Sequence, residues 1–417
     1  MTDFSLYVGV DWGSQSHQVC ALGPDRSVKL EQAFEHSGEG LTRLVRALLA
    51  LEDDPKQIAV SIETPRGAVV ETLLEHGISV FAINPKQLDR FRDRHTIAGA
   101  KDDRRDALVL ADSLRTDMLA FRRVRLGDPK LVELRELSRV HDQLKAERVA
   151  LGNRLREQLQ RYFPQILELG SVYEERWLWA LLEIAPTPEL GKQLRPGKLR
   201  SLLKENRIRK ITAESVRQIL GAEPLHVAPG VTEACRRHVA LLLPKLRLAD
   251  AQKADVEREI ESLLEELSTP VEGKSEHRDA LLLQSMPGLG TLVCATMLAE
   301  AWEPLENRDY DTFRAVCGVA PVTRQSGKKR VTHMRTACNP RLRNTVHYWA
   351  MNAIKFDPRW KDLYAKLRDA GHNHSRALRG VGDRLLSVLI AVLTSNKPYD
   401  PEHRRALPTL GPEAAAA

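Results

Sequence analysis

The chain predicts an α/β N-terminal domain, a long helical connector and a mainly α-helical C-terminal domain, with boundaries near residues 1–125, 126–270 and 271–405 and a flexible tail over 406–417. Three observations carry this. Short apolar strand runs alternate with helical spacing at the start. Leucines recur at three, four or seven through the middle. Pro-Gly and Gly-x-Gly turns separate apolar helical runs in the last third.

Leu6–Asp11 reads as a largely apolar strand ending in an acid, followed by the polar turn Trp12–His17 and a second strand, Gln18–Leu22. Leu41 to Leu51 has helical spacing. Gln57–Glu63 is another buried strand ending in an acid, before Thr64-Pro65-Arg66-Gly67 and a helix over Ala68–Glu75. A strand over Ile78–Ile83 stops at Asn84-Pro85, and a helix runs from Asp103 to Arg115. Open α/β sheets place ligands at the C-terminal ends of their strands, where Asp11 and Glu63 fall.

With 42% hydrophobic and 29% charged residues the chain is globular, and its length suggests two or three domains. No apolar run reaches the ~18 residues of a membrane span. No signal peptide is visible at the start. The five cysteines form no CxxC pair, which argues against a disulfide framework or zinc site and for a reducing cytoplasm. The net charge of +7 points to a polyanionic partner. From Thr312 to Phe356 there is no Asp or Glu, while Arg314, Arg324, Lys328, Lys329, Arg330, Arg335, Arg341, Arg343 and Lys355 are cationic. A long stretch of one sign favours nucleic acid over a solubilising surface.

Lys101-Asp-Asp-Arg-Arg-Asp-Ala107 places Asp103 and Asp106 on one helical face. Taken alone it reads first as a charged helix start, with acids near the positive end of the dipole. Joined by the strand-end acids Asp11 and Glu63, the pair makes four carboxylates at one sheet edge. Such a cluster is stable only around cations, and two Mg²⁺ ions would serve phosphoryl transfer. Lys101, Arg104, Arg105 and the Arg90–Arg94 segment are candidates to meet a phosphate backbone.

Pro129 to Phe163 and Leu242 to Leu267 are two long amphipathic stretches, read as an antiparallel coiled coil or helical pair, within one chain or between protomers. The segment between them, about 185–230, is basic and broken by Pro and Gly, which marks an insertion or a small helical subdomain; its charge serves either as a nucleic-acid grip or as a solvated linker. Pro287-Gly288-Leu-Gly290 precedes an apolar helix, Leu292–Leu298, and is similar to the turn of helix-hairpin-helix modules, whose backbone N–H groups meet phosphate. Ser326-Gly327 is a turn by itself. Surrounded by Arg324, Lys328, Lys329 and Arg330, its hydroxyl is also a candidate nucleophile whose alkoxide the cations would stabilise. His372 and His374 supply too few ligands for a metal site.

Gly9-Val-Asp11, Ser61-Ile-Glu63-Thr and Lys101-Asp-Asp103-Arg-Arg-Asp106-Ala, together with Gly318-Val-Ala-Pro321 and Ser326-Gly327, resemble the DEDD transposases of the insertion-sequence "one-ten" family. The resemblance covers both ends of the chain and implies an RNase H-like (RuvC-like) first domain. It maps the metal-binding tetrad to Asp11, Glu63, Asp103 and Asp106, with Mg²⁺ or Mn²⁺ as cofactor, and the nucleophilic serine to Ser326. It leaves Asp102 as a neighbouring acid of unassigned role. As partners it implies target and donor double-stranded DNA and a non-coding bridge RNA that pairs with both, with assembly as a homodimer or a dimer of dimers. The expected function is DNA cutting and rejoining through a phosphoserine link. Two alternatives stand beside it: a metal-dependent junction endonuclease without a serine nucleophile, and a non-catalytic scaffold for structured nucleic acid.

Overall fold

The computed structural model describes residues 4–83, 85–95, 102–125, 127–228, 230–269, 275–327 and 329–401. Asn84, Lys101, Lys328 and the tail from residue 402 lie outside the described residues, as does the side chain of Lys329. The chain divides into two compact units, Met1–Gly127 and Asp128–Ala417.

The first unit is a mixed sheet with helices. Strands β1 (Leu6–Asp11), β2 (Ser16–Leu22) and β3 (Val28–Glu35) form an antiparallel meander. Helix α1 (Gly38–Leu51), capped by the Ser37 hydroxyl, leads to β4 (Ile58–Ile62), which pairs parallel with β1. Helix α2 (Ala68–Glu75) crosses over to β5 (Ser79–Ala82), parallel to β4. Helices α3 (Pro85–His95) and α4 (Asp103–Thr116) follow, then the short antiparallel edge strand β6 (Arg122–Arg123). The strand order is β3-β2-β1-β4-β5-β6. The predicted strands and helices of this region are present. The strand β3 was not among them: four of its eight residues are polar or charged and only Phe34 is buried, so it lacks the apolar run that marks β1 and β4.

Alternation in β1 sorts the two faces. Val8 and Val10 enter the core with Leu44, Leu48, Val70 and Leu73 of α1 and α2. Tyr7 shares a second core with Ala59, Phe81, Leu110 and Leu114. Gly9, on the α4 face, lets that helix lie against the strand: a Cβ there would stand 1.9 Å from the Ala107 carbonyl oxygen and 2.6 Å from the Ala111 nitrogen. Both obstacles are backbone and cannot swing aside. Gly9→Ala is therefore expected to cost about 3 kcal/mol or more of stability, at the upper end for overpacking, read by chemical denaturation.

The second unit is built on an antiparallel pair, α5 (Pro129–Tyr162) and α10 (Val231–Leu267). Lys130–Glu266 at 2.7 Å, His141–Glu257 at 3.1 Å and Arg148–Asp250 at 2.9 Å step down one helix while climbing the other. The pairing is thus made within the chain. Around the far end of the pair, α6 (Arg176–Ile184), α7 (Pro188–Lys192), α8 (Pro196–Glu205) and α9 (Ala213–Leu220) enclose a core containing Trp177, Trp179, Phe163 and Leu243. The basic 185–230 segment is accordingly a small helical layer rather than a loose linker. At the other end, α11 (Ser275–Gln284), α12 (Thr291–Glu306) and α13 (Tyr310–Val316) pack with α14 (Pro340–Phe356), α15 (Pro358–Asp369) and α16 (His374–Ser395). A hairpin of β7 (Val322–Ser326) and β8 (Lys329–His333) is set between α13 and α14 in the chain. Among the described residues no helix is long and apolar enough to cross a membrane.

Candidate active site

The parallel register of β1 and β4 brings two of the predicted acids together. Gly9 lies opposite Ser61 and Val10 opposite Ile62, so Asp11 and Glu63 follow at adjacent strand ends. The Ser61 hydroxyl fixes this pairing by donating to the Val8 carbonyl at 3.0 Å. By strand alternation Asp11 shares the face of Gly9, the face that α4 covers. That helix runs antiparallel to β1, with Ala107 over Gly9 while Leu110 and Leu114 join the core of Phe4 and Tyr7. Its first turn therefore lies toward the strand ends that carry Asp11 and Glu63. Asp106 there is buried at 3% exposure, whereas Asp103 is exposed.

A carboxylate that deep requires a cation or a full set of donors. Arg92 on α3 supplies both: its Nε donates to Asp106 Oδ1 at 2.7 Å and its Nη2 to Oδ2 at 2.8 Å, a bidentate fork, while Nη1 reaches Asp89 at 2.7 Å. Burial pulls the Arg92 guanidinium down, but Asp106 and Asp89 outweigh it and hold its pKa above the ordinary value. Among the described residues no three acids, histidines or cysteines are grouped closely enough to enclose a metal ion. The donor chemistry nevertheless suits a hard divalent cation: carboxylates only, on one sheet face, one of them buried and already neutralised by a positive group. The sequence marked Arg90–Arg94 as cationic but held no sign that Arg92 would clamp Asp106, because the contact joins side chains of two separate helices.

Asp102, unassigned by the sequence, is the N-cap of α4: its side chain accepts from the Arg104 N–H at 3.2 Å. Asp103, one residue on, begins the helix with its carboxylate exposed. Asp102→Ala is expected to cost about 1 kcal/mol of stability and Asp102→Asn almost none, since Asn caps equally well. If Asp103 is the expected metal ligand and Asp102 only the cap, the Asn variant at 102 keeps Mn²⁺ binding in calorimetric titration and Asp103→Asn loses it. Equal loss of the ion in both variants would reverse the assignment. Arg104 approaches Glu31 at 3.8 Å and Arg105 is exposed beside it.

In the second unit, Ser326 ends β7 and is exposed, before Gly327 at φ +57°, a left-handed conformation that suits glycine. Register places Arg324 opposite Val331 and Ser326 opposite Lys329, while Gln325 pairs with Arg330. Arg324, Ser326 and the Lys329 position thus share one face of the ribbon and Arg330 lies on the other.

The remaining predicted contacts divide. Gly288, at φ +72°, is pressed against α14, where a Cβ would stand 2.7 Å from the Ala353 nitrogen, and the Pro287 carbonyl accepts from the Trp349 indole at 2.9 Å. The turn glycine therefore serves packing, while Gly290 faces open space at the start of α12. Arg341 is engaged inside the protein, donating to Glu300 at 2.6 Å, Asp142 at 2.8 Å and Ser138 at 3.0 Å. Burial pushes Glu300 up, but Arg139, Asn339 and Arg341 overcome it and hold the carboxyl below the usual range. Arg335 donates to the Ala320 carbonyl at 3.2 Å, and Arg343 lies 3.9 Å from the Cys338 sulfur.

Comparison with known proteins bears directly on this arrangement. A family model for DEDD transposases of the IS110 type matches residues 8–164, and one described as the IS116/IS110/IS902 transposase family matches residues 280–365. The first span contains all four predicted acids and the second contains Ser326. The y4uE protein of Sinorhizobium fredii, named as a candidate transposase, is 46% identical over 56% of this chain and 63% of its own length. The candidate transposase of the IS117 mini-circle of Streptomyces coelicolor is 30% identical over 99% of both chains. A 43.6 kDa protein of the insertion element IS110, from the same species, is 26% identical over 95% of this chain and 96% of its own. The first of these matched spans implies an RNase H-like fold for the mixed sheet. Read with the sheet-edge acids, these likenesses place the chain in a family: it belongs to the IS110 family of transposases.

Proposed function

We propose that this transposase cuts and rejoins DNA by phosphoryl transfer, with Asp11, Glu63, Asp103 and Asp106 holding Mg²⁺ or Mn²⁺ and Ser326 as nucleophile. The observation that supports it most is the placement of Asp11 and Glu63 at adjacent parallel strand ends on the face covered by α4, whose first turn carries buried Asp106. When bound, the divalent ion supplies Lewis-acid stabilisation of the phosphate and the departing oxygen. The Ser326 oxygen attacks phosphorus, a serine–phosphate bond forms and the bond to one sugar oxygen breaks. The hydroxyl proton passes to solvent, and the departing alkoxide takes one back. Reversal with a hydroxyl from another strand restores the serine and joins the DNA, so the bond energy is kept without a nucleotide cofactor. Arg324, on the same ribbon face, stabilises the negative charge as it develops.

The same reading assigns target and donor choice to a bridge RNA. Base pairing then reads the sequence while basic surfaces hold backbones. It takes a homodimer or dimer of dimers as the working assembly. The test is the nucleic acid that copurifies with the protein: a discrete short RNA that, added back, directs joining of matched DNA supports guidance. Equal joining of unrelated sequences without RNA overturns it.

A further inference from the structure

Trp12 follows Asp11 directly and is 48% exposed, while Trp177, Trp179, Trp349 and Trp360 are buried in the cores of the second unit. An isolated exposed apolar side chain needs no explanation by itself. The support beneath this one does. His17, fully buried, accepts from the Gly13 N–H at 3.4 Å through Nδ1, which leaves its proton on Nε2 to donate to His36 Nδ1 at 2.8 Å. The His36 backbone N–H in turn donates to the Gln15 carbonyl at 2.8 Å, so both ends of the turn are tied. Gly13 admits no side chain: a Cβ would meet the Ser16 carbonyl oxygen at 2.4 Å. The indole neighbours the His17 ring at 6.5 Å between centroids, tilted by 36°. The turn is thus tied by these contacts, and the side chain it holds half-exposed to solvent is an indole.

We infer that Trp12 is a stacking platform for a base of the nucleic-acid strand whose phosphate is held at Asp11. Strand alternation puts Asp11 on the α4 face and His17, with Trp12 beside it, on the α1 face of the same sheet edge. A strand that crosses the edge with one phosphate at Asp11 carries a neighbouring base to the indole. The platform is tolerant of sequence, because every base has a π-face. It fixes the path of the strand and leaves reading to other elements. The position of the strand rests on the phosphoryl-transfer reading; the stacking surface is tested separately from it.

The test is binding of a labelled single-stranded oligothymidylate to the full-length protein in EDTA, followed by fluorescence anisotropy as salt is varied. Trp12→Ala is expected to weaken binding by about 5- to 100-fold, with the slope of log affinity against log salt unchanged, since no phosphate contact is lost. Trp12→Phe should bind nearly as the parent does, and the parent's indole fluorescence should be quenched on binding in proportion to occupancy. Unchanged affinity in Trp12→Ala overturns the inference. So does an equal loss in Trp12→Phe with a lowered melting temperature, which would make the ring a structural prop. A change in self-association on sedimentation, with oligonucleotide binding intact, would assign the indole to a copy interface and overturn it too. Loss of binding in Trp12→Ala alongside full strand transfer by Asp106→Asn would sink the phosphoryl-transfer reading and leave the platform standing.

Discussion

Asp106→Asn is expected to lower DNA strand transfer by about 10³-fold or more, the scale of several kcal/mol of transition-state charge stabilisation. The substitution keeps the side-chain volume at a 3% exposed site but removes one of the two acceptors of the Arg92 fork, so the melting temperature is measured beside activity, and the loss of strand transfer should far exceed any loss of folded protein. Calorimetric titration with Mn²⁺ should show the accompanying loss of a binding event. Arg92 provides the converse. Its fork occupies both Asp106 oxygens at 2.7 and 2.8 Å, so a metal that takes Asp106 must displace a guanidinium. Arg92→Gln leaves a buried carboxylate without its partner, which is destabilising. Its melting temperature in EDTA should fall, and Mn²⁺ should restore more of it than the same ion adds to the parent. Equal Mn²⁺ responses in the two proteins would mean that Asp106 is a structural acid.

Ser326→Ala is expected to abolish strand exchange, by on the order of 10⁴-fold or more, and to remove any covalent protein–DNA adduct trapped by denaturation. The residue is exposed at the end of β7 and packs against no core, so its replacement should leave stability within about 0.5 kcal/mol. Ser326→Cys keeps a nucleophile at the same place and should retain a measurable adduct. The informative failure is a Ser326→Ala protein that still nicks DNA with metal present. That result would move the chemistry to water activated at the acids, the junction-endonuclease alternative, and leave Ser326 as a turn residue. Arg324→Gln should reduce the rate of adduct formation more than DNA affinity, because its charge acts on the same ribbon face where negative charge develops.

The run without acids from Thr312 to Phe356 shows how far charge patterning reaches. As a string it reads as one continuous basic surface. Folded, part of it is neutralised by acids from distant segments: Arg314 forks onto Asp383 at 3.0 and 2.7 Å, and Arg341 meets Glu300 and Asp142. Arg324, by contrast, is exposed on the hairpin face that carries Ser326. Substituting Arg341 should therefore cost stability before it costs DNA affinity.

Local chemistry was enough for the strands β1, β4 and β5, the helices α2, α4 and α5, and the acids at the strand ends. Apolar runs, 3.6-residue spacing and turn residues act over a few positions and are visible in the chain itself. The motif spacing was likewise enough for the family. Packing decided the rest. Gly9 is needed because a helix a hundred residues later lies on it, and Asp102 separates from Asp103 only through a cap hydrogen bond. Arg92 finds Asp106, and the two histidines brace Trp12, only once separate elements meet. A sequence records which groups are charged or apolar, but which charge neutralises which is set by distance and burial, and those exist only in the folded chain.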